Sequence, residues 1–479
     1  MEKKLFLLTF LLLGAVLLNG CGTVQCGDKL AISNEIPCIQ GWKAWEEWKN
    51  NPPELNGKPE KMSQEEWDLR LKKQREAFQQ FAPWVLDEFK QTDEYMGWPE
   101  GFSERKSCYG VKNNIPPPDH ECTSWLAMPD VTDNKCVILH KNRDSSIARL
   151  AVYRHQVPGK NAYIGCGGYG NLFPLMGFND KGVAITMNAG DTTDDVHPYG
   201  LSTGQMLRIA LETCDNAADA TALLEKMTLA GAYRRKDCGS IWYIADSNRA
   251  FVAEASLHRF AYGEIKGGLS IRANEWHFPQ MRAISKDEPG YMAYSLNREI
   301  SVQKLLIQEA LKKNGAISEK DIDIASRFRP DTEDAKKRFT EKELKHMLRL
   351  CANRTISGGT FVLDKEYPQL LSTGWIACGT IWHSIYIPYP VTLTDFPKQL
   401  TNATYADAIF RRFNKYQFKT PIDDAFKIEE EMRKAHNEAV AKARELLRQN
   451  RKAEAIKLLN DTFAENWKRA LDFHANRKN

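Results

Sequence analysis

The residues best suited to chemistry lie in the stretch 120–146. Cys122 opens a small nucleophilic cluster, Cys-Thr-Ser, at the head of an apolar run. After a polar turn, a second apolar run ends in the charged sequence Lys-Asn-Arg-Asp at residues 141–144. A thiol beside a lysine and a carboxylate is suited to nucleophilic attack on a carbonyl carbon. The alternative for Cys122 is a buried structural thiol, since cysteine is among the residues most often found inside proteins.

The apolar runs around this cluster predict the element that positions it. Two short apolar runs joined by a polar turn are typical of a β-hairpin. Such a hairpin would bring Asp144 back beside Cys122, although the two residues are far apart in the sequence. The predicted chemistry therefore depends on this hairpin.

The rest of the chain predicts a mixture of helices and strands. Residues 63–92 are expected to be helical, with Ser63 and Glu66 spaced as a capping box and Pro83 as a break or kink. Further elements are expected as a helix pair over 201–229, hairpins over 241–251 and 260–272, and a nearly continuous amphipathic helix over 427–473. We expect this last helix to pack on the body of the protein, because its heptads are not sustained as in a coiled coil.

Length and charge set broad limits on the function. The chain has 479 residues and is 42% hydrophobic, which is enough for the core of one large domain or of several smaller ones. With 66 basic and 62 acidic residues, the net charge is +4, which is close to balance. The charge therefore indicates no nucleic-acid partner.

The N-terminus has the pattern of an export signal rather than of a membrane span. Two lysines precede an apolar run over 5–18, which is too short for a comfortable transmembrane helix. The sequence Leu-Asn-Gly-Cys that follows resembles a bacterial lipobox, in which Cys21 is lipidated and becomes the mature N-terminus. We expect an exported protein of the bacterial cell envelope, on the periplasmic or cell-surface side, held to the membrane by this lipid. The alternative is cleaved secretion without a lipid.

The cysteine count is informative in an exported chain. Of the 11 cysteines, Cys21 and Cys122 have other predicted roles, and the nine that remain are an odd number, so at least one stays free. Their connectivity cannot be read from the sequence. The chain has no C-x-x-C pair, and its ten histidines are scattered, so we expect no metal site and no cofactor.

The order of features over residues 122–144 resembles the opening of the cysteine-type N-terminal-nucleophile (Ntn) hydrolases: Cys-Thr-Ser, then a hairpin, then Lys-Asn-x-Asp. The similarity is greatest to the C69-type dipeptidases and to the C45-type acyltransferases related to the penicillin acyltransferase; the choloylglycine hydrolases are more distant. Further motifs follow in the order of the family, at 177–184, 200–227, 242–254, 272–275 and 372–390. Each motif alone is weak evidence, but five motifs that follow one another in the family's order make the resemblance fairly specific.

The resemblance covers about 122–395 and implies an α+β fold, a four-layer αββα sandwich. The helical patterns outside it add a helical N-terminal pro-segment and a helical C-terminal tail, for which the family offers no counterpart. The expected divisions are an export signal with lipobox over 1–21, a pro-segment or linker with helices over 22–121, an Ntn hydrolase core over 122–395 and a helical extension over 396–479. The many tryptophans of the pro-segment suggest that it packs on the core and stays bound after cleavage. The alternative is a pro-segment that is removed.

The resemblance also implies roles for the nucleophile and its neighbours. Cleavage before Cys122 would make this residue a new N-terminus that carries both nucleophile and base, because its α-amine accepts the thiol proton. Asp144 would hold and orient that amine, and Lys141 would favour the thiolate. The side-chain amide of Asn274 and the backbone N–H of Asn188 would stabilise the oxyanion. The alternatives are surface charges for Asp144 and Lys141 and ordinary turn positions for the two asparagines.

Two arginines are candidates for substrate binding, Arg143 and Arg354, although a surface ion pair is an alternative for Arg354. Arg143 stands where the dipeptidases usually carry serine, which makes the transfer of a family substrate unsafe. The sequence thus predicts a self-cleaving cysteine amidohydrolase that acts on a small-molecule amide or short peptide. The alternatives are an N-acyltransferase that passes the acyl group to an amine, and a non-catalytic envelope lipoprotein that keeps the fold. The oligomeric state is left open.

Overall fold

The structure is a computed structural model of the chain, and it describes residues 62–109, 122–145, 150–169, 173–195, 197–234, 238–286, 289–313 and 315–476. The predicted export signal and the lipidation site Cys21 lie outside the described residues, as do Cys26 and Cys38. Within the described segments, no helix has the length and apolar character needed to cross a membrane. Export and lipid anchoring stay predictions.

The strands of the described residues form two antiparallel sheets. Their bounds are β1 Thr123–Ala127, β2 Val137–Asp144, β3 Leu150–His155, β4 Tyr163–Gly168, β5 Met176–Asn179, β6 Ala184–Asp191, β7 Cys238–Ala245, β8 Ala250–Ser256, β9 Arg259–Glu264, β10 Leu269–Arg272, β11 Thr355–Leu363, β12 Thr373–Cys378 and β13 Ile387–Pro390. One sheet has the strand order β10-β1-β2-β11-β12-β13, and the other runs in chain order from β3 to β9. The predicted hairpin over residues 122–144 is confirmed as β1 and β2, which pair antiparallel.

The helices lie before, between and after these strands in the chain. Their bounds are α1 Gln64–Phe81, α2 Pro83–Met96, α3 Phe102–Tyr109, α4 Thr203–Thr213, α5 Ala217–Leu229, α6 Pro279–Arg282, α7 Pro289–Lys312, α8 Glu319–Ser326, α9 Glu333–Arg338, α10 Glu341–Leu344, α11 Pro368–Leu371, α12 Lys398–Thr401, α13 Thr404–Tyr416, α14 Asp423–Arg448 and α15 Lys452–Asn476. The predicted helix pair over 201–229 is confirmed as α4 and α5.

The two sheets pack face to face, and each is covered by helices on its outer side. Side chains in a strand alternate between its faces, so Leu126 and Leu139 enter the core between the sheets, where Phe178 and Phe361 meet at 5.4 Å between ring centroids. Trp125 points the other way, into a cluster with residues of α7 and α8. Helix α4 contacts β5 and β6, and α5 contacts β7, β8 and β9. The predicted four-layer αββα sandwich is therefore confirmed.

The C-terminal helices are interrupted where one helix was predicted. The chain ends α14 at Arg448 and resumes as α15 at Lys452, and between them Asn450 adopts a left-handed φ of 61°. Asparagine tolerates this conformation, which ends the helix and lets the chain reverse. The two helices form an antiparallel pair that contacts β13, and Phe463 and Trp467 enter the main core. The expectation that this region packs on the body of the protein is confirmed.

The predicted hairpin over 260–272 is wrong. Its two halves are strands, but β9 pairs with β8 in one sheet and β10 pairs with β1 in the other. The chain between them therefore crosses from one sheet to the next. This crossing brings the residues that follow β10 next to the start of β1, where Cys122 lies.

The predicted helix over 63–92 is two helices, α1 and α2, which meet at Pro83. Proline cannot continue the hydrogen-bond ladder of α1, but it fits the first turn of α2. Ser63 caps α1 as predicted, since its hydroxyl accepts the Glu66 N–H at 3.1 Å. The carboxylate of Glu66 has other partners, Arg70 at 2.7 Å and the hydroxyl of Tyr199 at 2.9 Å.

The N-terminal helices α1 and α2 pack on α4 through buried polar contacts. The indole N–H of Trp84 donates to Glu212 at 2.7 Å, and Arg208 donates to Glu88 and, at 2.8 Å, to Glu212. His155 lies 3.0 Å from Arg208. We call these five residues the Arg208 cluster. Because its members come from α2, β3 and α4, the cluster joins the N-terminal helices to the sandwich.

Candidate active site

A row of four residues crosses the six-stranded sheet at the start of β1. Thr123 pairs with Asn142, so Cys122, one residue earlier, lies opposite Arg143. Arg143 pairs with Ser357 of β11, and Ser357 pairs with Cys378 of β12. We call Cys122, Arg143, Ser357 and Cys378 the nucleophile row. Neighbours across antiparallel strands share one face of the sheet, and this row faces the space between the two sheets.

Cys122 is held between the end of β2 and helix α7. Its side chain is buried, with 8% of the residue exposed, and its Sγ lies 4.0 Å from the backbone oxygen of Asp144. The guanidinium of Arg298 donates to the backbone oxygen of Cys122 at 3.3 Å and to the carboxylate of Asp144 at 3.0 Å. The expected closeness of Asp144 to Cys122 is confirmed, and Arg298 bridges the two residues.

Lys141 lies on the same face of β2, two residues from Arg143. It is fully buried, and its Nζ donates to the side-chain oxygen of Asn188 at 2.8 Å. Burial lowers the pKa of this lysine, and a negative charge on Cys122 opposes that shift. Lys141 is therefore close enough to the thiol for each group to influence the charge of the other, as its predicted role requires.

The side chain of Asn188 joins several segments of the site through hydrogen bonds that the sequence analysis did not predict. Its oxygen accepts from both Lys141 and the hydroxyl of Ser124 at 2.8 Å. Its amide nitrogen donates to the backbone oxygens of Arg272 and Ala273, both at 2.9 Å. One side chain of β6 thus fixes β1, β2 and the segment after β10. The prediction concerned only the backbone N–H of Asn188, and that oxyanion role stays a prediction.

Asn274 lies two residues beyond the last pair of β1 and β10, which joins Ser124 to Arg272. Continuing this register places Asn274 beside Cys122. Its amide nitrogen donates to the backbone oxygen of Ala189 at 2.7 Å, and the second of its two amide hydrogens has no acceptor among the described residues. Its predicted role as an oxyanion donor stays a prediction.

The two predicted substrate-binding arginines occupy different positions. Arg143 belongs to the nucleophile row, whereas Arg354 is half-buried just before β11. The backbone oxygen of Arg354 accepts the N–H of Ser145 at 2.9 Å, so this residue lies near the end of β2. The structure therefore brings Arg143 to the thiol itself and Arg354 only to the same end of the sheet.

Arg298 is the residue of the site that sequence reasoning missed. It belongs to α7, far along the chain from Cys122 and Asp144, and no motif precedes it. None of the eight cysteines among the described residues forms a disulfide with another of them, and Cys166 and Cys378 lie near Arg143. In the described part of the chain, no group of three histidine, cysteine or acidic residues could hold a metal ion. The absence of a metal and of a cofactor stays a prediction.

The fold and the position of Cys122 define a class of protein. Two antiparallel sheets between helices, with a nucleophile candidate at the head of an inner strand, are the architecture of the Ntn hydrolases. Within this class, residues 131–314 match the family model described as acyl-coenzyme A:6-aminopenicillanic acid acyl-transferase. The match confirms the predicted resemblance to the C45-type family of amidohydrolases and acyltransferases. It begins after Cys122, so the assignment of the nucleophile depends on the geometry of the site.

Several solved structures resemble the chain at low identity. A conjugated bile acid hydrolase from Clostridium perfringens is 11% identical, covering 59% of this chain and 94% of its own, with a TM-score of 0.36. Penicillin V acylase from Agrobacterium tumefaciens is 12% identical, covering 57% and 87%, with a TM-score of 0.35. A Caenorhabditis elegans N-acylethanolamine-hydrolyzing acid amidase ortholog is 12% identical, covering 50% and 92%, with a TM-score of 0.31. No curated protein matches the chain in sequence.

Proposed function

We propose that the protein is a self-cleaving cysteine amidohydrolase that acts on a linear amide through an acyl-enzyme on Cys122. The observation that supports this most is the setting of the thiol. Cys122 stands at the head of an inner strand, with Lys141 beside it and the Arg298–Asp144 pair against its backbone. A purely structural cysteine needs no such surroundings, because an apolar site serves it better.

Activation requires cleavage of the peptide bond before Cys122. While Glu121 is attached, the α-nitrogen of Cys122 is an amide and cannot accept a proton. Cleavage frees an amine with a pKa of about 8, which can take the thiol proton near neutral pH. The carboxylate of Asp144, held by Arg298, would orient this amine by a charge-assisted hydrogen bond.

The reaction then proceeds in two steps. The Cys122 thiolate attacks the amide carbonyl, and the tetrahedral oxyanion is stabilised by the free amide hydrogen of Asn274 and the backbone N–H of Asn188. The intermediate collapses, the C–N bond breaks and the amine leaves with the proton that the α-amine had taken. Water, deprotonated by the α-amine, then attacks the thioester and releases the acid. Lys141 favours the thiolate at both steps.

Acyl transfer is the second candidate, because the matching family model is described as an acyltransferase. In that reaction an amine instead of water would resolve the acyl-enzyme. We prefer hydrolysis because no extended basic or nucleotide-binding element in the sequence suggests an acyl-CoA substrate. Product analysis with and without an amine acceptor separates the two: a new amide, formed only with the acceptor, would favour transfer.

A denaturing gel tests the proposal most simply. We expect purified wild-type protein to give two fragments that break before Cys122, and the Cys122→Ala variant to stay whole and to hydrolyse no amide. An uncut wild-type chain without amidase activity would favour the non-catalytic lipoprotein. We further propose that the N-terminal fragment stays bound through the Arg208 cluster, so that both fragments elute together on a sizing column. Separate elution would contradict this.

Export and anchoring at Cys21 complete the proposal. They are supported by the lipobox pattern alone. Full-length protein made in a bacterial host is expected in the membrane fraction, and the Cys21→Ser variant in the soluble fraction. Equal membrane association of the two would contradict a lipid anchor.

A further inference from the structure

Arg143 is a buried arginine that has no counter-ion among the described residues. Only 5% of the residue is exposed, its Nη1 atom has no hydrogen-bond partner, and its guanidinium forms no ion pair in this part of the chain. Burial lowers its pKa, which reflects how unfavourable a charge is at this position. Buried charged groups are normally paired, because an unpaired one loses its hydration without compensation. The position therefore calls for an anion that the described residues do not supply.

The charges around the nucleophile row lead to the same conclusion. Two cations, Lys141 and Arg143, lie close together on one face of β2, whereas Arg298 is paired with the carboxylate of Asp144. Arg298 is matched by Asp144, and Lys141 would be matched by the thiolate of Cys122. The charge of Arg143 has no match among the described residues, and the α-amine of Cys122 adds a further positive charge once it has taken the thiol proton. The working site thus has room for at least one further negative charge.

The register fixes where that charge would bind. Arg143 lies directly opposite Cys122 on the neighbouring strand, and such neighbours have Cβ atoms about 5 Å apart. Any carbonyl that reaches Sγ of Cys122 is therefore within about one side-chain length of the guanidinium. A planar guanidinium binds a carboxylate through two parallel hydrogen bonds, a geometry that lysine cannot provide.

We propose that Arg143 binds a carboxylate of the substrate, so that the preferred substrates are amides with a carboxylate a few bonds from the scissile carbonyl. This inference rests on the proposed function, because it takes Cys122 as the nucleophile. The carboxylate belongs either to the acyl part or to the amine part of the amide. Both arrangements put the same chemical group beside Arg143, and substrates of each kind distinguish them.

Cys166 offers the competing explanation. This buried thiol lies near Arg143, and its pKa is lowered by a hydrogen bond from Cys378 and by the arginine charge. A resident Cys166 thiolate would be a counter-ion that leaves no role for a substrate. In that case wild type would show no preference for the acid, and Cys166→Ala, which frees the guanidinium, would create one.

The first experiment compares kcat/KM for matched amides. Glutaryl-p-nitroanilide carries the carboxylate on the acyl side and hexanoyl-glycine on the amine side, and each is paired with the same compound in which a primary amide replaces the carboxylate. We expect the wild type to prefer the acid in at least one pair. Arg143→Gln should reduce that acid-to-amide ratio by roughly 10- to 100-fold, as expected for the loss of a charge-assisted hydrogen bond. Arg143→Lys should reduce it less.

Two controls accompany this comparison. Arg451→Gln removes an arginine on the surface turn between α14 and α15, and Cys166→Ala removes the competing counter-ion; both should keep the wild-type ratio. A ratio near one in wild type for both pairs, or a ratio that Arg143→Gln leaves unchanged, would overturn the inference. An acid preference that is absent in wild type and appears only in Cys166→Ala would also overturn it, because the Cys166 thiolate would then be the counter-ion.

A binding measurement separates this inference from the proposed function. Glutarate and hexanoyl-glycine should raise the thermal unfolding temperature of wild type but not of Arg143→Gln, whereas their neutral amides should have no effect. Stabilisation without cleavage of any amide would support the carboxylate site and contradict the hydrolase. Cleavage of neutral amides with no carboxylate stabilisation would support the hydrolase and contradict the site.

Discussion

Arg208 and Arg143 are both buried arginines, yet their surroundings are opposite. Arg208 is fully buried among carboxylates of the chain, and the Coulomb attraction of Glu212 and Glu88 raises its pKa in spite of burial. Arg143 is almost as deeply buried, but it faces three thiols, and burial lowers its pKa. Removing one partner of a buried pair that the chain forms itself destabilises the fold. A buried charge that the described residues leave unpaired is instead available to a ligand.

The largest expected effect is on stability, from the same substitution at both arginines. Arg208→Leu leaves Glu88 and Glu212 buried without their cation, and breaking such a pair should cost about 3–5 kcal/mol. Arg143→Leu removes a charge that has no ion-pair partner in the described part of the chain, so stability should stay equal or rise. Thermal unfolding of the two variants beside wild type measures both. Equal losses of stability would remove the distinction between the two sites.

The next effect is the pH dependence of the Arg208 cluster. Burial alone would raise the pKa of Glu212, but Arg208 and His155 lower it from 4.5 to about 2. A carboxylate with a lowered pKa contributes stability that is fully present above its unfolded pKa and lost as the pH falls through its folded pKa. We therefore expect a loss on the order of 3 kcal/mol between pH 4.5 and about pH 2.

Glu212→Gln provides the control for this pH dependence. The glutamine cannot titrate, so the variant should be less stable than wild type above pH 4.5 and should lose less stability below it. Unfolding temperatures measured across the range show the difference. Parallel pH curves for the two proteins would mean that Glu212 does not carry the effect.

A smaller effect is expected at Arg298, which pairs with Asp144 beside the nucleophile. Arg298→Met keeps the length of the side chain but removes the charge-assisted hydrogen bonds to Asp144 and to the backbone of Cys122. The loss of about 1.5–3 kcal/mol should slow self-cleavage roughly 10- to 100-fold. The fraction of cleaved chain followed over time measures this rate.

Arg298→Lys is the matched variant for that measurement. A lysine restores the charge but not the two-pronged geometry, so it should recover only part of the rate. Cleavage of Arg298→Met at the wild-type rate would mean that the pair with Asp144 has no part in activation. A complete block in both variants, with lowered unfolding temperatures, would indicate a structural role instead.

The local parts of the site could be predicted from the sequence, and the distant parts could not. The hairpin and the closeness of Asp144 to Cys122 follow from two apolar runs and a turn, which are local signals. Arg298 reaches the same place from α7, which only tertiary packing decides. The side-chain role of Asn188 was missed for the same reason, since its partners come from three other segments.

The errors in the fold have a similar cause. A strand pattern over 260–272 looks the same whether both halves join one sheet or two, because each half alternates in the same way. In the structure Ile271 of β10 pairs with Trp125 of β1, and both pack against α7 and α8, a contact between distant segments that a strand pattern does not encode. The break at Asn450 had a local signal, an asparagine between Gln449 and Arg451, but strong helix formers on both sides concealed it.

The N-terminal sequence of the larger fragment tests the central claim most directly. If Cys122 is the N-terminal nucleophile, purified wild-type protein should yield a large fragment that begins Cys-Thr-Ser-Trp-Leu, and this terminal cysteine should carry the acyl group after brief exposure to an amide substrate. Mass spectrometry reads both results from one sample. An active protein whose Cys122 is still joined to Glu121, or whose acyl group is found on another residue, would contradict the account.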